Sequence, residues 1–160
     1  MSKHALGRIG LTMGLAMGLV IALAAGPVAA GSMTQVDGLL TPDTAGVCVE
    51  DAASVGTYTV TGNLTGCWYI DEWTVRSETP SGAVRATGTE LFSGCLDGDR
   101  CGHFWTTYSY TYRIVDGALV HGRCHHPIAG GDGGFAGVTG VLQMHDLPNG
   151  CSTYSGHLSF

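Results

Sequence analysis

Gly102-His103-Phe104-Trp105-Thr106-Thr107-Tyr108-Ser109-Tyr110-Thr111-Tyr112-Arg113-Ile114-Val115 is the stretch that decides the fold class. It is dense in β-branched and aromatic residues, which fit a pleated, half-buried surface. Phe104, Tyr108, Tyr110, Tyr112 and Ile114 fall on one side at a period of two, the signature of a strand with one packed face. Asp116-Gly117 follows as a hairpin turn, and Leu119 to Ile128 returns as a strand ending near Pro127.

The same period runs outward in both directions. Upstream, Thr57 to Ile70 reads as one long strand, with Thr57, Thr59, Thr61, Asn63 and Thr65 on a polar face. Trp73 to Arg76 continues extended, Thr79-Pro80-Ser81-Gly82 turns, and Ala83 to Phe92 forms the next strand. Downstream, Ala129 to Gly134 reads as a flexible loop, Phe135 to Asp146 as a strand, Pro148-Asn149-Gly150 as a turn and Ser152 to Phe160 as a closing strand. No helical period is sustained after Ala30, so the domain is all-β. Six to eight strands joined by short turns fit a sandwich or a closed barrel. Glycines inside the strands favour the barrel, because a closed sheet bends sharply at its corners. The expected fold is a single closed antiparallel β-barrel of about eight strands, stabilised by disulfides.

The N-terminus has a different character. Lys3 and Arg8 precede an uncharged run from Ile9 to Ala25, Gly26-Pro27 breaks it, and Val28-Ala29-Ala30 supplies small residues for a peptidase. Residues 1–30 therefore read as a signal peptide removed near Ala30, which makes the protein secreted. Residues 31–53 read as an irregular leader strapped to the domain by Cys48, and 54–160 as the barrel. Of the seven basic residues, cleavage removes Lys3 and Arg8; five arginines then face 13 carboxylates, a net charge of −8. Such a surface has no electrostatic footprint for nucleic acid or, once the signal is gone, for a membrane.

Cys48, Cys67, Cys95, Cys101, Cys124 and Cys151 all lie in the mature part. An even count in a small exported domain reads as three disulfides, with 15 connectivities possible. Cys95 and Cys101 are either partners across a small polar loop or two ends bonded elsewhere. The working expectation pairs Cys67 with Cys95, Cys101 with Cys124 and Cys48 with Cys151.

The run from Pro127 to Gly140, Pro-Ile-Ala-Gly-Gly-Asp-Gly-Gly-Phe-Ala-Gly-Val-Thr-Gly, resembles the GG-(S/T/D)-G-x-F-x-G-A-x-G signature of plant allene oxide cyclases and dirigent proteins. It is also similar to bacterial secreted proteins described as allene oxide cyclase barrel-like, as are His121-Gly122-Arg123-Cys124-His125-His126-Pro127 and the ending Tyr154-Ser155-Gly156-His157-Leu158-Ser159-Phe160. The resemblance spans roughly Thr57 to Phe160 and implies an eight-stranded calycin-like barrel with Phe135 plugging one end. Allene oxide cyclases ring-close a fatty-acid epoxide inside an apolar barrel with a buried carboxylate; dirigent proteins steer phenoxy-radical coupling. Only the barrel motif matches residue by residue, with Glu90 a match by role.

Glu90 shares a strand face with Val84, Ala86, Gly88 and Phe92, the expected interior. There a carboxylate acts as an acid/base or an anchor at the floor of a cavity. A register slip of one turns it to solvent instead, and single-sequence registers weigh towards that outcome. Arg123, with His121 and His125, pairs with Glu90 only if its face is inward. The commoner arrangement puts that face in solvent, with Cys124 inward in a disulfide. Trp68, Phe104, Tyr108, Tyr110 and Tyr112 are the candidate ligand wall, and equally the contents of a filled core. Cys101-Gly102-His103 and Cys124-His125-His126 have zinc-ligand types, but oxidised cysteines pair with each other, so neither metal nor cofactor is expected. The common hydrolase and phosphate-loop motifs are absent. The reading that follows is a secreted barrel binding a small apolar ligand or acting as a non-catalytic extracellular module. The alternatives are an isomerase or cyclase of the allene oxide cyclase type, and a cell-envelope interaction protein.

Overall fold

The structure, a computed structural model, describes residues 31–48 and 54–160; the signal-peptide reading of residues 1–30 lies outside them. Nine strands follow one another: β1 (Met33–Pro42), β2 (Gly56–Gly62), β3 (Leu64–Ile70), β4 (Thr74–Glu78), β5 (Ala83–Leu96), β6 (Arg100–Val115), β7 (Ala118–Gly133), β8 (Thr139–Asp146) and β9 (Ser152–Ser159). Every pairing is antiparallel. The order β3-β2-β1-β9-β8-β7-β6-β5 closes on itself through a β3–β5 ladder, and β4 lies outside the cycle against the first half of β5. This is the expected barrel, eight strands around with one extra.

Three readings of the chain are corrected. The irregular leader contains β1, which lies between β2 and β9 in the barrel wall. Its inward positions are Val36, Gly38 and Leu40; Gly38 breaks the apolar alternation because the Tyr154 ring occupies the space its side chain would fill. The single strand from Thr57 to Ile70 is a hairpin, with Val60 opposite Gly66 and Tyr58 opposite Trp68. The loop at Ala129 to Gly134 is strand for most of its length: β7 continues to Gly133 past a bulge between Trp105 and Thr106 of β6, and β8 begins only at Thr139.

The expected disulfide pairs are also corrected. Cys48 bonds Cys67 and Cys95 bonds Cys101, while Cys124 and Cys151 are free thiols. Cys95 and Cys101 face each other in the β5–β6 ladder. Cys124 is opposite Tyr110 on β6, nine residues from Cys101, about 30 Å of strand. It also faces inward, whereas Cys101 is outside. Cys151 lies beyond β8, its Sγ near the Thr41 hydroxyl. The two disulfides suit an oxidising compartment.

The barrel interior divides along its axis. At one end Leu64, Phe92, Phe104, Phe135 and Leu158 are fully buried. Phe92 and Phe104 stack at 4.7 Å between centroids, and Phe135 closes on both edge-to-face from the turn before β8. Trp68 lies on the other side of that pair, 6.2 and 5.8 Å from the two rings. Beyond Trp68 the barrel is hollow. One end is a solid core and the other a pocket.

Candidate functional site

The pocket is a cavity of about 310 Å³ opening at the barrel end where β1, β3, β6 and β8 finish and β2, β5, β7 and β9 begin. Its floor is Trp68, Glu90 and His126. Its wall is Leu40, Tyr58, Ile70, Tyr108, Tyr110, Cys124, Met144 and Asp146, and its rim Trp73, Leu119, Gly150 and Ser152.

Strand alternation places Glu90 at this floor. Val84, Ala86, Glu90 and Phe92 of β5 are all inward and buried, and Glu90 is 5% exposed. On β7 the inward residues are Gly122, Cys124 and His126. Arg123 is on the exposed face with His121 and His125, so the pairing of Arg123 with Glu90 does not form. His126 takes that place. Its Nε2 is 2.9 Å from Glu90 Oε2, and it is 1% exposed. The approach is close but not aligned as a hydrogen bond, so Glu90 Oε2 and both His126 ring nitrogens are left without a hydrogen-bond partner. Trp68 Nε1 and the Thr106 hydroxyl are buried and unpartnered beside them. Such groups cost free energy when buried without a hydrogen bond, and here they converge at the pocket floor.

The imidazole is held by rings. Trp68 meets it edge-on at 5.7 Å and Tyr108 lies 5.9 Å away. The Tyr108 hydroxyl donates to the carbonyl of Glu72 at 2.8 Å, tying the segment before β4 across the pocket mouth. That segment approaches closely because Gly88 lies beneath it: a β-carbon there would collide with the Glu72 carbonyl and the Tyr108 ring. Trp73, carried in by the same segment, contacts Tyr108, Tyr110 and Tyr112 at 5.5 to 6.1 Å and stays 41% exposed.

Among the described residues two carboxylates face the cavity. Glu90 is at the floor; Asp146, on the wall, accepts from the Tyr110 hydroxyl and from Ser152 Oγ. Their field adds to burial in pushing the Cys124 thiol far up, so the thiol is neutral and a poor nucleophile. Burial is likewise the main cause raising the phenols of Tyr58, Tyr108 and Tyr110. Among the described residues no group of three His, Cys, Asp or Glu converges as a metal site requires.

Of the residues singled out in the sequence, Glu90, Trp68, Tyr108 and Tyr110 line the cavity. Phe104 belongs to the solid core, Tyr112 stacks behind Tyr110 at 4.7 Å, and Arg123 is outside. His126 was weighed in the sequence only as a zinc-ligand type, and Tyr58, Trp73 and Asp146 are further polar or aromatic lining residues that sequence reasoning passed over. His126 had a usable signal, since it alternates with Arg123 along one strand. Asp146 had one as well, since it keeps the parity of Leu142 and Met144 in β8, whereas Trp73 had none, because its place depends on the segment crossing the barrel mouth.

No family model and no curated protein matches the chain. Among solved structures it is similar to a protein of unknown function from the DUF3224 family of Shewanella oneidensis MR-1, at 24% identity and a TM-score of 0.50 over 81% of this chain and 98% of that one. The likeness is one of fold. It supports the barrel and carries nothing on the cyclase or dirigent activities.

Proposed function

We propose that this protein is an exported small-molecule-binding barrel that takes a mostly apolar, ring-bearing ligand in the open half of the cylinder. The observation that carries the reading is a 310 Å³ aromatic pocket whose floor presents Glu90 Oε2, Trp68 Nε1 and the His126 nitrogens without partners. Ligand sites are concave, largely apolar and completed by a few convergent polar groups, and their volumes begin at about 300 Å³. The solid end gives the pocket a rigid floor, and Trp73 at the rim offers a ring to fold over a bound molecule. Export is supported by the charged, apolar and small-residue order of residues 1–30 and by the two disulfides, which suit an oxidising compartment. The test is titration of the mature, disulfide-bonded chain with the neutral fluorophore N-phenyl-1-naphthylamine. Saturable binding, weakened at least fivefold by Trp73→Ala, is expected; absence of saturable binding sinks the reading.

A second reading, an isomerase or cyclase of the allene oxide cyclase type, is favoured by one observation: Glu90 points into the cavity beside His126, and a carboxylate–imidazole pair takes and returns protons. Formation of a ring-closed product from a fatty-acid allene oxide above the protein-free background, lost in Glu90→Gln, is its expected outcome; product at the background level removes it. The hairpin tip that exposes Ile114, Val115, Leu119 and Val120 is the feature an envelope-interaction role calls for. Recovery of the protein in the cell-free medium rather than with the envelope fraction would remove that role.

A further inference from the structure

The pocket is unbalanced in charge. Among the described residues Glu90 and Asp146 line it, and no lysine or arginine does. His126 is the only basic group among the described lining residues, one imidazole against two carboxyl groups. Around the carboxylates stand the rings of Tyr58, Trp68, Trp73, Tyr108 and Tyr110. Aromatic faces carry the negative end of the ring quadrupole and attract cations within about 6 Å of the centroid.

The three charge classes of ligand fare differently here. A neutral hydrocarbon leaves Glu90 Oε2 buried and unpartnered. An anion meets two carboxylates in a half-closed, low-dielectric space. A cation with an N–H donor pairs with Glu90 Oε2 and lays its apolar body against the rings. Resting on the ligand-binding reading above, we propose that the pocket selects an organic amine in its cationic form: an ammonium on an apolar or aromatic body, with Glu90 as its counter-ion and Trp73 and Tyr108 as its ring wall. His126 does not saturate the carboxylate, because its approach lacks hydrogen-bond alignment. The acidic excess of the whole chain, 13 carboxylates against seven basic residues, draws cations towards the pocket from a distance.

The test uses three indole compounds of similar size and different charge to displace N-phenyl-1-naphthylamine from the mature, disulfide-bonded protein: tryptamine (cation), tryptophol (neutral) and indole-3-acetate (anion). Tryptamine is expected to displace the probe at least tenfold better than tryptophol, with indole-3-acetate weaker still. Glu90→Gln is expected to remove the tryptamine advantage, read as the ratio of tryptamine to tryptophol displacement on that same variant; Asp146→Asn, on the wall, is expected to reduce the ratio only in part. Equal displacement by all three, or failure of tryptamine to displace, overturns the amine proposal and leaves the apolar pocket standing. Failure of the probe itself to bind overturns both. The charge series on the unmodified protein decides the matter even if Glu90→Gln does not fold.

Discussion

Glu90 Oε2 and His126 Nε2 meet 2.9 Å apart inside the barrel, although the whole width of β6 separates their backbones. Each side chain must reach inward past Thr106 and Tyr108 to do so. The contact is electrostatic rather than an aligned hydrogen bond, and removing one side takes from the other, buried group its close opposite-charge neighbour, which is costly. His126→Leu should therefore cost about 3–5 kcal/mol, whereas the double replacement Glu90→Leu/His126→Leu should cost less than either single change. Urea denaturation of the four proteins checks this. Additive losses would show that the two side chains act independently.

The thiol chemistry is stratified by depth. Cys124 is nearly buried, and burial with two nearby carboxylates pushes its thiol up; Cys151 is partly exposed. Alkylation at pH 8 should modify Cys151 in the native protein, Cys124 only after unfolding, and the other four cysteines only after reduction. Mass spectrometry of the three samples counts the labels. Native labelling at Cys124 as fast as at Cys151 would contradict the buried placement.

The two disulfides close loops of unequal length, with separations of 19 and 6 residues. Restriction of the unfolded chain grows with loop length, which gives about 3 kcal/mol for the longer loop and about 2 kcal/mol for the shorter. Replacing Cys48 and Cys67 by alanine should thus lower the denaturation midpoint more than replacing Cys95 and Cys101. The reverse order would place the larger contribution in the native β5–β6 hairpin.

Alkaline pH should loosen the fold. Burial pushes the Tyr154 phenol up to about 12, and its hydroxyl accepts a hydrogen bond from Leu64 N at 2.9 Å. Tyr108 and Tyr110 move in the same direction. A folded-state value above the unfolded one of about 10 stabilises the native state fully below pH 10. That contribution fades as pH rises through 12. Absorbance at 295 nm and the urea midpoint, followed from pH 8 to 12.5, should show delayed phenol ionisation and falling stability together. Normal ionisation near pH 10 with unchanged stability would refute the coupling.

The solid and hollow halves should be separable. Phe135 is fully buried against Phe92 and Phe104 and does not line the cavity. Phe135→Ala should cost about 3–5 kcal/mol, the usual loss for a deleted core aromatic. Affinity of the folded fraction for the neutral probe should stay within about twofold of the unmodified protein. A larger change would mean that the two halves share one packing unit.

Much of the architecture was legible before any coordinates. Local alternation in β5 and β6 announces strands and sorts inward from outward residues, and Glu90 follows the parity of Val84, Ala86 and Phe92. The same rule applied to β7 turns Arg123 out and His126 in. Where it failed, a local feature interrupted the pattern: Gly38 hid β1, and the close β2–β3 hairpin read as one continuous strand.

Composition and period by themselves determined an all-β, acidic domain and favoured a barrel over a sandwich, because those properties arise from residues adjacent in the chain. Only the tertiary structure decided which thiols pair, that one end is packed solid, and that Glu90 finds His126 rather than Arg123. Each of these depends on how far one strand is displaced against another that is distant in sequence. The closure of β3 on β5 and the crossing of the Glu72–Trp73 segment over Gly88 set those displacements, and no local period encodes them.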